Sequence, residues 1–146
     1  MDWTRGPRCA GTGEPPEMMH ANKKETAGLK SLITSRNFVI GSQAERVAVD
    51  AGVERQVLAY CPNLMLCRVS FQFGAVGAVH THTHSQVTYV ESGRFQFQIG
   101  DEVVEVGAGD CVYIPPNAQH GAKCVQPGVL IDCFSPLRAD FLSQAS

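Results

Sequence analysis

The sequence predicts an all-β domain, on three grounds: short alternating strands, turn residues at close intervals between them, and no long helical periodicity between Gly52 and Pro136. Alternation is cleanest at Arg94 to Ile99, where Phe95, Phe97 and Ile99 interleave with Arg94, Gln96 and Gln98. Gly100-Asp101 followed by Val103, Val104 and Val106 makes this stretch the first arm of a hairpin. Leu64 to Phe73 puts Met65, Cys67, Val69, Phe71 and Phe73 on one face. Further strands are expected at Gln86–Val90, Asp110–Ile114, Ala118–Cys124 and Val129–Phe134. Turns are expected at Gly74, Gly93, Gly107-Ala108-Gly109, Pro115-Pro116-Asn117 and Gln126-Pro127-Gly128.

Residues 1–36 differ in kind. Around Gly11-Thr12-Gly13-Glu14-Pro15-Pro16 neither period is sustained, so this segment reads as a loosely ordered leader, with a short helix or edge strand within Ala27 to Ser35. Residues 37–146 then form one domain, long enough to bury a core without disulfide staples. Net charge is −2 with no basic run, which favours a small-molecule partner over nucleic acid or an anionic membrane. None of the six cysteines forms a CxxC pair, and most lie in apolar runs such as Leu66-Cys67-Arg68-Val69 and Asp110-Cys111-Val112-Tyr113. They read as buried free thiols in a reducing cytosol. With no bilayer-length apolar stretch and no apolar run after Arg5 and Arg8, the expected location is cytoplasmic.

The chemistry concentrates in Gly77-Ala78-Val79-His80-Thr81-His82-Thr83-His84-Ser85-Gln86. On an extended strand, side chains two apart share a face, so imidazoles at this spacing can converge on one cation. Gln86 has the same parity and offers a neutral carbonyl oxygen. A further donor is expected from His120, where Gly109 starts a strand, Pro115-Pro116 ends it, and Asn117 accepts the left-handed conformation of the turn. The predicted metal ligands are His80, His82, Gln86 and His120, with His84 as the spare and His20 inert in the leader. Three nitrogens and one oxygen, all neutral, suit one divalent ion (Ni²⁺, Zn²⁺, Mn²⁺ or Fe²⁺). They leave its charge uncompensated, so the site should attract an anion.

A second constellation closes the chain: Asp132-Cys133-Phe134-Ser135-Pro136-Leu137-Arg138-Ala139-Asp140-Phe141. Alternation puts Asp132 on the face of Leu130 and Phe134, where a carboxylate is costly unless paired or used. Arg138, past a Ser-Pro turn, can fold back over the barrel mouth. The plainer alternative is a structural Asp132–Arg138 ion pair.

The two histidine segments resemble the paired cupin motifs, G(x)5HxH(x)3–4E(x)6G and G(x)5PxG(x)2H(x)3N. Gly93 closes the first, while Gly109, Pro115 and His120 match the second. The chain departs from them at the glutamate, filled here by Ser85 or Gln86 with Gln86 favoured, and at the glycine of PxG, here Asn117. The resemblance implies a single-domain cupin β-barrel, a jelly-roll-like double-stranded β-helix. Val57-Leu58-Ala59-Tyr60, Asn63-Leu64-Met65, the HxHxHxQ run, Thr88-Tyr89-Val90-Glu91-Ser92-Gly93 and the DxFxPxRxDF ending resemble the KdgF-type cupins of pectin and alginate breakdown, over roughly Val53 to Leu142.

That likeness implies metal-dependent ring opening of 4,5-unsaturated monouronates to the linear 5-keto-4-deoxyuronate, a lyase or isomerase activity. It implies Asp132, Phe134 and Arg138 as catalytic or substrate-contacting residues, and a homodimer. Arg94, at a strand start near the barrel, is a further candidate anion contact. The competing readings are an Fe²⁺-dependent cupin dioxygenase, against which the amide ligand argues mildly, and a non-catalytic small-molecule-sensing module, against which the lack of a helix-turn-helix region argues.

Overall fold

The computed structural model describes residues 33–143, so the expectations for the leader lie almost wholly outside the described residues. In chain order the strands are β1 (Val47–Asp50), β2 (Val53–Cys61), β3 (Leu64–Phe71), β4 (Val76–His80), β5 (Ser85–Ile99), β6 (Glu102–Gly107), β7 (Cys111–Ile114) and β8 (His120–Ser135), followed by a short helix α1 (Ala139–Leu142). All eight strands join one sheet, ordered β1-β2-β3-β8-β5-β6, with β4 added on β8 and β7 on β5, and every pairing is antiparallel. Among the described residues, no helix is long and apolar enough to cross a membrane.

Two long strands organise the barrel. β5 and β8 pair from Ser85↔Ser135 to Ile99↔His120, with bulges between Val90 and Phe95. The second half of β8 also pairs with β3, and its first half with β4. The ladder therefore passes from one side of the rolled sheet to the other. Gly93 and Gln126-Pro127-Gly128, expected as turns, lie inside these strands at the kink. The physical reason is close backbone approach. A Cβ on Gly93 (φ 84°) would stand 2.6 Å from the Gln126 carbonyl, and one on Gly128 would stand 2.1 Å from the Ser92 carbonyl. Only glycine lets the strands bend through each other there.

The expected apolar faces form the core, apart from the end of one. Met65, Cys67, Val69 and Phe71 are buried on β3, but Phe73 is 76% exposed because the strand stops at Phe71. Phe95 is fully buried and meets Phe71 edge-on at 5.3 Å, surrounded by Val90, Ile114, Cys124 and Leu130. A smaller cluster of Met65, Cys67 and Phe134 packs against Tyr60, Leu137, Phe141 and Leu142, and so fastens the C-terminal segment to the barrel. Among the described residues five cysteines are free; Cys67 and Cys124 are buried, but Cys111 is exposed, because alternation along β7 turns Ile114 inward and Cys111 out.

Candidate metal centre

β4 ends at His80 and β5 begins at Ser85, so the three histidines do not share one extended strand as expected. They converge by another route. His80 stands directly opposite His120 across the β4–β8 pair. His82 comes from the connection between β4 and β5, where its carbonyl accepts the Asn117 N–H at 2.7 Å. Asn117 has φ 63°, the left-handed turn expected of it, and so couples the proline turn to the histidine connection. Ring centroids lie 4.4 Å apart for His80–His120 and 4.8 Å for His82–His120. One nitrogen from each of the three histidines falls within 4.8 Å of the others, so the trio could hold a metal ion. His84 stacks edge-on to His82 at 5.6 Å, outside that trio.

Backbone carbonyls orient all three rings. Nδ1 of His80 donates to Ala78 O at 2.8 Å, Nδ1 of His120 to Ala118 O at 2.8 Å, and Nδ1 of His82 to His84 O at 3.1 Å. A carbonyl only accepts, so in His80 and His120 the proton sits on Nδ1 and the Nε2 lone pair turns toward the cluster. Burial lowers the pKa of His82 and of His120, which favours the neutral, ligating form. Nε2 of His120 is buried and makes no hydrogen bond.

Gln86, 6% exposed, meets this group from β5. Its Nε2 donates to Thr88 Oγ1 at 2.9 Å, and the Thr88 hydroxyl donates to Asp132 Oδ1 at 2.6 Å. That chain fixes the amide, so Oε1 faces His82 Nε2 at 2.9 Å and accepts from it when the ring carries its proton there. Three imidazole nitrogens and one amide oxygen are thus gathered in one place. The donor set therefore fits a divalent ion, with His80, His82, Gln86 and His120 as the residues able to hold it.

Asp132 lies on β8 between Leu130 and Phe134, as the alternation indicates, and lines the cavity with His80, Gln86 and His120. Burial raises its pKa, against the opposing hydrogen bonds from Thr88 and Gln86. Phe134 is 3% exposed and edge-on to His82 at 5.7 Å, forming apolar wall beside the histidines. Arg138 does fold back over the mouth, but its ion pair is not the alternative one with Asp132. Its Nε and Nη2 donate to the two carboxylate oxygens of Asp140 at 2.9 and 2.8 Å, which holds the Asp140 pKa down. Asp132 takes its hydrogen bonds from Thr88 and Gln86 because those face it across β5, whereas Arg138 and Asp140 share one turn of chain. Arg94 is not at the mouth: it pairs with Glu105 on the outer β5–β6 hairpin at 2.8 Å, with both side chains well exposed.

Sequence reasoning missed Thr88, Arg55 and Phe141. Thr88 is fully buried between Gln86 and Asp132. Arg55 is 8% exposed, lines the same cavity, and rests its guanidinium 3.5 Å from the Phe141 ring centroid. Parity would have found the first two, since Thr88 shares a face with Gln86 and Val90, and Arg55 with Val53 and Val57. The cavity holds about 230 Å³, below the ~300–1,000 Å³ of drug-sized ligand sites. It suits one small ring and not a polymer.

A rolled antiparallel sheet with a histidine trio inside one end defines a cupin barrel. The Cupin domain family model matches residues 67–134. The chain is 36% identical over 109 residues to the pectin degradation protein KdgF of Dickeya dadantii (strain 3937), covering 73% of this chain and 99% of that protein. It therefore belongs to the KdgF family of cupins. Among solved structures, KdgF from Halomonas sp. is 35% identical with a TM-score of 0.70, covering 73% of this chain and 99% of that one. An RmlC-like cupin from Shewanella frigidimarina NCIMB 400 is 42% identical with a TM-score of 0.72, covering 74% and 97%.

Proposed function

We propose that the protein is a metal-dependent enzyme of uronate breakdown, opening the ring of 4,5-unsaturated monouronates released from pectin or alginate. The observation that carries this reading is the cavity lining: among the described residues Asp132 is its one carboxylate, and it sits with His80, His120 and two arginines. Such a site pairs a proton-handling group with an excess of positive charge, which matches an anionic substrate whose reaction is proton transfer. The relationship to KdgF supplies the polymer context.

The reaction is an isomerisation. A proton leaves the anomeric hydroxyl, the bond from the anomeric carbon to the ring oxygen breaks, and a proton is added at C4 as the enol becomes the 5-ketone. Asp132 both takes and returns protons in this scheme. Its pKa, raised by burial, suits both duties better than an ordinary carboxylate would. Thr88 fixes its orientation through the 2.6 Å hydrogen bond. Phe134 offers the sugar ring an apolar wall, and Arg138 supplies positive charge at the mouth. A divalent ion (Ni²⁺, Zn²⁺, Mn²⁺ or Fe²⁺) on His80, His82, Gln86 and His120 would supply Lewis acidity toward the carboxylate or a ring-side oxygen. The 230 Å³ cavity is sized for one sugar ring.

The five free thiols among the described residues support a cytoplasmic location. Val87, Tyr89 and Tyr113, each more than 40% exposed and neighbours across β5 and β7, support a homodimer formed through that outer face. The test is direct. Metal-replete protein mixed with an unsaturated monouronate should remove the enol-ether absorbance at the same rate in air and without oxygen, and chelation should stop it. Persistence of the band would refute ring opening, and an absolute oxygen requirement would shift the assignment to a dioxygenase.

A further inference from the structure

We infer that Asp140 is a positioning residue: it holds one edge of Arg138 so that the Nη1–Nη2 end of the guanidinium grips the substrate carboxylate. The assignment rests on the uronate reading and deepens it. Arg138 stands just before α1, and Asp140 lies in the first turn of that helix, two positions on. Nε and Nη2 of Arg138 donate to the two carboxylate oxygens of Asp140 at 2.9 and 2.8 Å. Exposure is lopsided across the pair, at 12% for the Arg138 side chain and 53% for that of Asp140. Asp140 thus holds the guanidinium from the solvent side, while Arg138 lines the cavity with Asp132, Gln86 and His80. An ion pair with one partner half in water adds little stability. A two-pronged one fixes direction.

Aromatic contacts alone would not set that direction. The guanidinium carbon of Arg138 lies 4.2 Å from the Phe141 ring centroid and 5.5 Å from that of Phe134, and the two rings meet edge-on at 90°. Packing on a ring restrains the plane of a guanidinium but lets it turn within that plane. Two hydrogen bonds to one carboxylate remove that freedom. An arginine head carries five N–H groups in a rigid fork. Asp140 takes one on Nε and one on Nη2, which leaves the second on Nη2 and both on Nη1. The Nη1–Nη2 end is therefore a second two-pronged edge, and among the described residues Nη1 has no hydrogen-bond partner. A substrate carboxylate docks there without displacing Asp140. Were Asp140 instead a competitor for the edge the substrate uses, its removal would tighten binding.

The test measures binding of galacturonate, and of galactose, which lacks the carboxylate, by calorimetry. It uses metal-loaded wild type, Asp140→Asn, Arg138→Met and the double variant, with thermal midpoint, metal content and turnover of unsaturated monouronate alongside. Asparagine keeps the volume and one acceptor but loses the second prong. Asp140→Asn should keep fold and metal yet bind galacturonate about 5- to 30-fold more weakly, with galactose unaffected. KM should rise more than kcat falls. Because Asp140 acts through Arg138, the double variant should bind galacturonate no more weakly than Arg138→Met alone. Unchanged or tighter galacturonate binding by folded, metal-loaded Asp140→Asn would overturn the assignment. So would losses that add in the double variant, or wild type that binds galacturonate no better than galactose. Wild type that follows the expected binding pattern without turning over the unsaturated monouronate would sink the ring-opening chemistry alone. If asparagine at 140 prevents folding, Asp140→Ser decides the matter by the same readings.

Discussion

The β5–β8 ladder follows different rules in its two halves. Beyond the kink, Phe95, Phe97, Ala122 and Cys124 are buried, while Arg94, Gln96 and Lys123 face solvent. Before it, the inner face sets Gln86, Thr88 and Asp132 among Val90, Leu130 and Phe134, while Val87 and Tyr89 are 43% and 46% exposed on the outside. One half is a conventional apolar core. The other is partly inverted, with polar groups among the apolar ones inside and apolar groups outside. A buried polar group costs free energy unless its hydrogen bonds are made. Gln86, Thr88 and Asp132 meet that cost in one chain of bonds, and what the chain leaves over, the Gln86 Oε1, faces the histidines. The inversion falls in the half of the ladder that meets the candidate metal centre.

The comparison breaks if substitutions in the two halves have the same consequences. The largest effect is expected at Asp132. Asp132→Asn keeps the volume and cannot accept the proton, so kcat should fall by about two to four orders of magnitude with fold and metal content retained. Stability should move the other way with pH. Because burial raises the folded-state pKa of Asp132, its favourable contribution is complete below the unfolded value of about 3.9 and is lost as pH rises through the folded value. In metal-free protein, the stability of wild type relative to Asp132→Asn should therefore decline from acid toward neutral pH, as read by urea melts. A full-rate Asp132→Asn enzyme would make the inverted half merely structural.

Phe95→Ala, in the conventional half, should cost about 3–5 kcal/mol of stability and leave activity per folded molecule unchanged. Gln86→Ala should weaken metal affinity by about 10- to 100-fold, judged by chelator competition, whereas Ser85→Ala should leave it alone. The reverse result would put the fourth ligand one residue earlier. Smallest is Arg94→Ala: its pair with Glu105 is solvent-exposed on both sides, so melting and uronate turnover should both stay at wild-type values, within about 0.5 kcal/mol for stability.

The class of fold and the interior placement of Gln86 and Asp132 were legible because period-two alternation is local information. Asn117 was legible for the same reason, since a left-handed turn position restricts residue type within a few atoms. The continuity of β5 and β8 was not. Gly93 and Pro127-Gly128 carry the composition of turns, and only a strand distant in sequence converts them into a kink. The Asp132 partner was not legible: proximity in sequence offered Arg138 as an alternative, while Thr88, 44 residues away, lies opposite it across the ladder. Arg55 carried the same signal as Asp132, a charge on the apolar parity of a strand. Lacking any neighbouring motif, it drew no notice.

The Gly93–Gly128 crossing has a consequence for how such barrels can vary. A side chain at either position would enter the backbone of the opposing strand, with atoms at 2.1 to 2.7 Å. Backbone cannot be trimmed by a second mutation as a bulky neighbour can, so no compensating change exists at the other site. In a saturation scan both positions should read as glycine alone, even in variants selected for new ligands. The residues around the mouth are free to be exchanged because this crossing, which touches no ligand, is not.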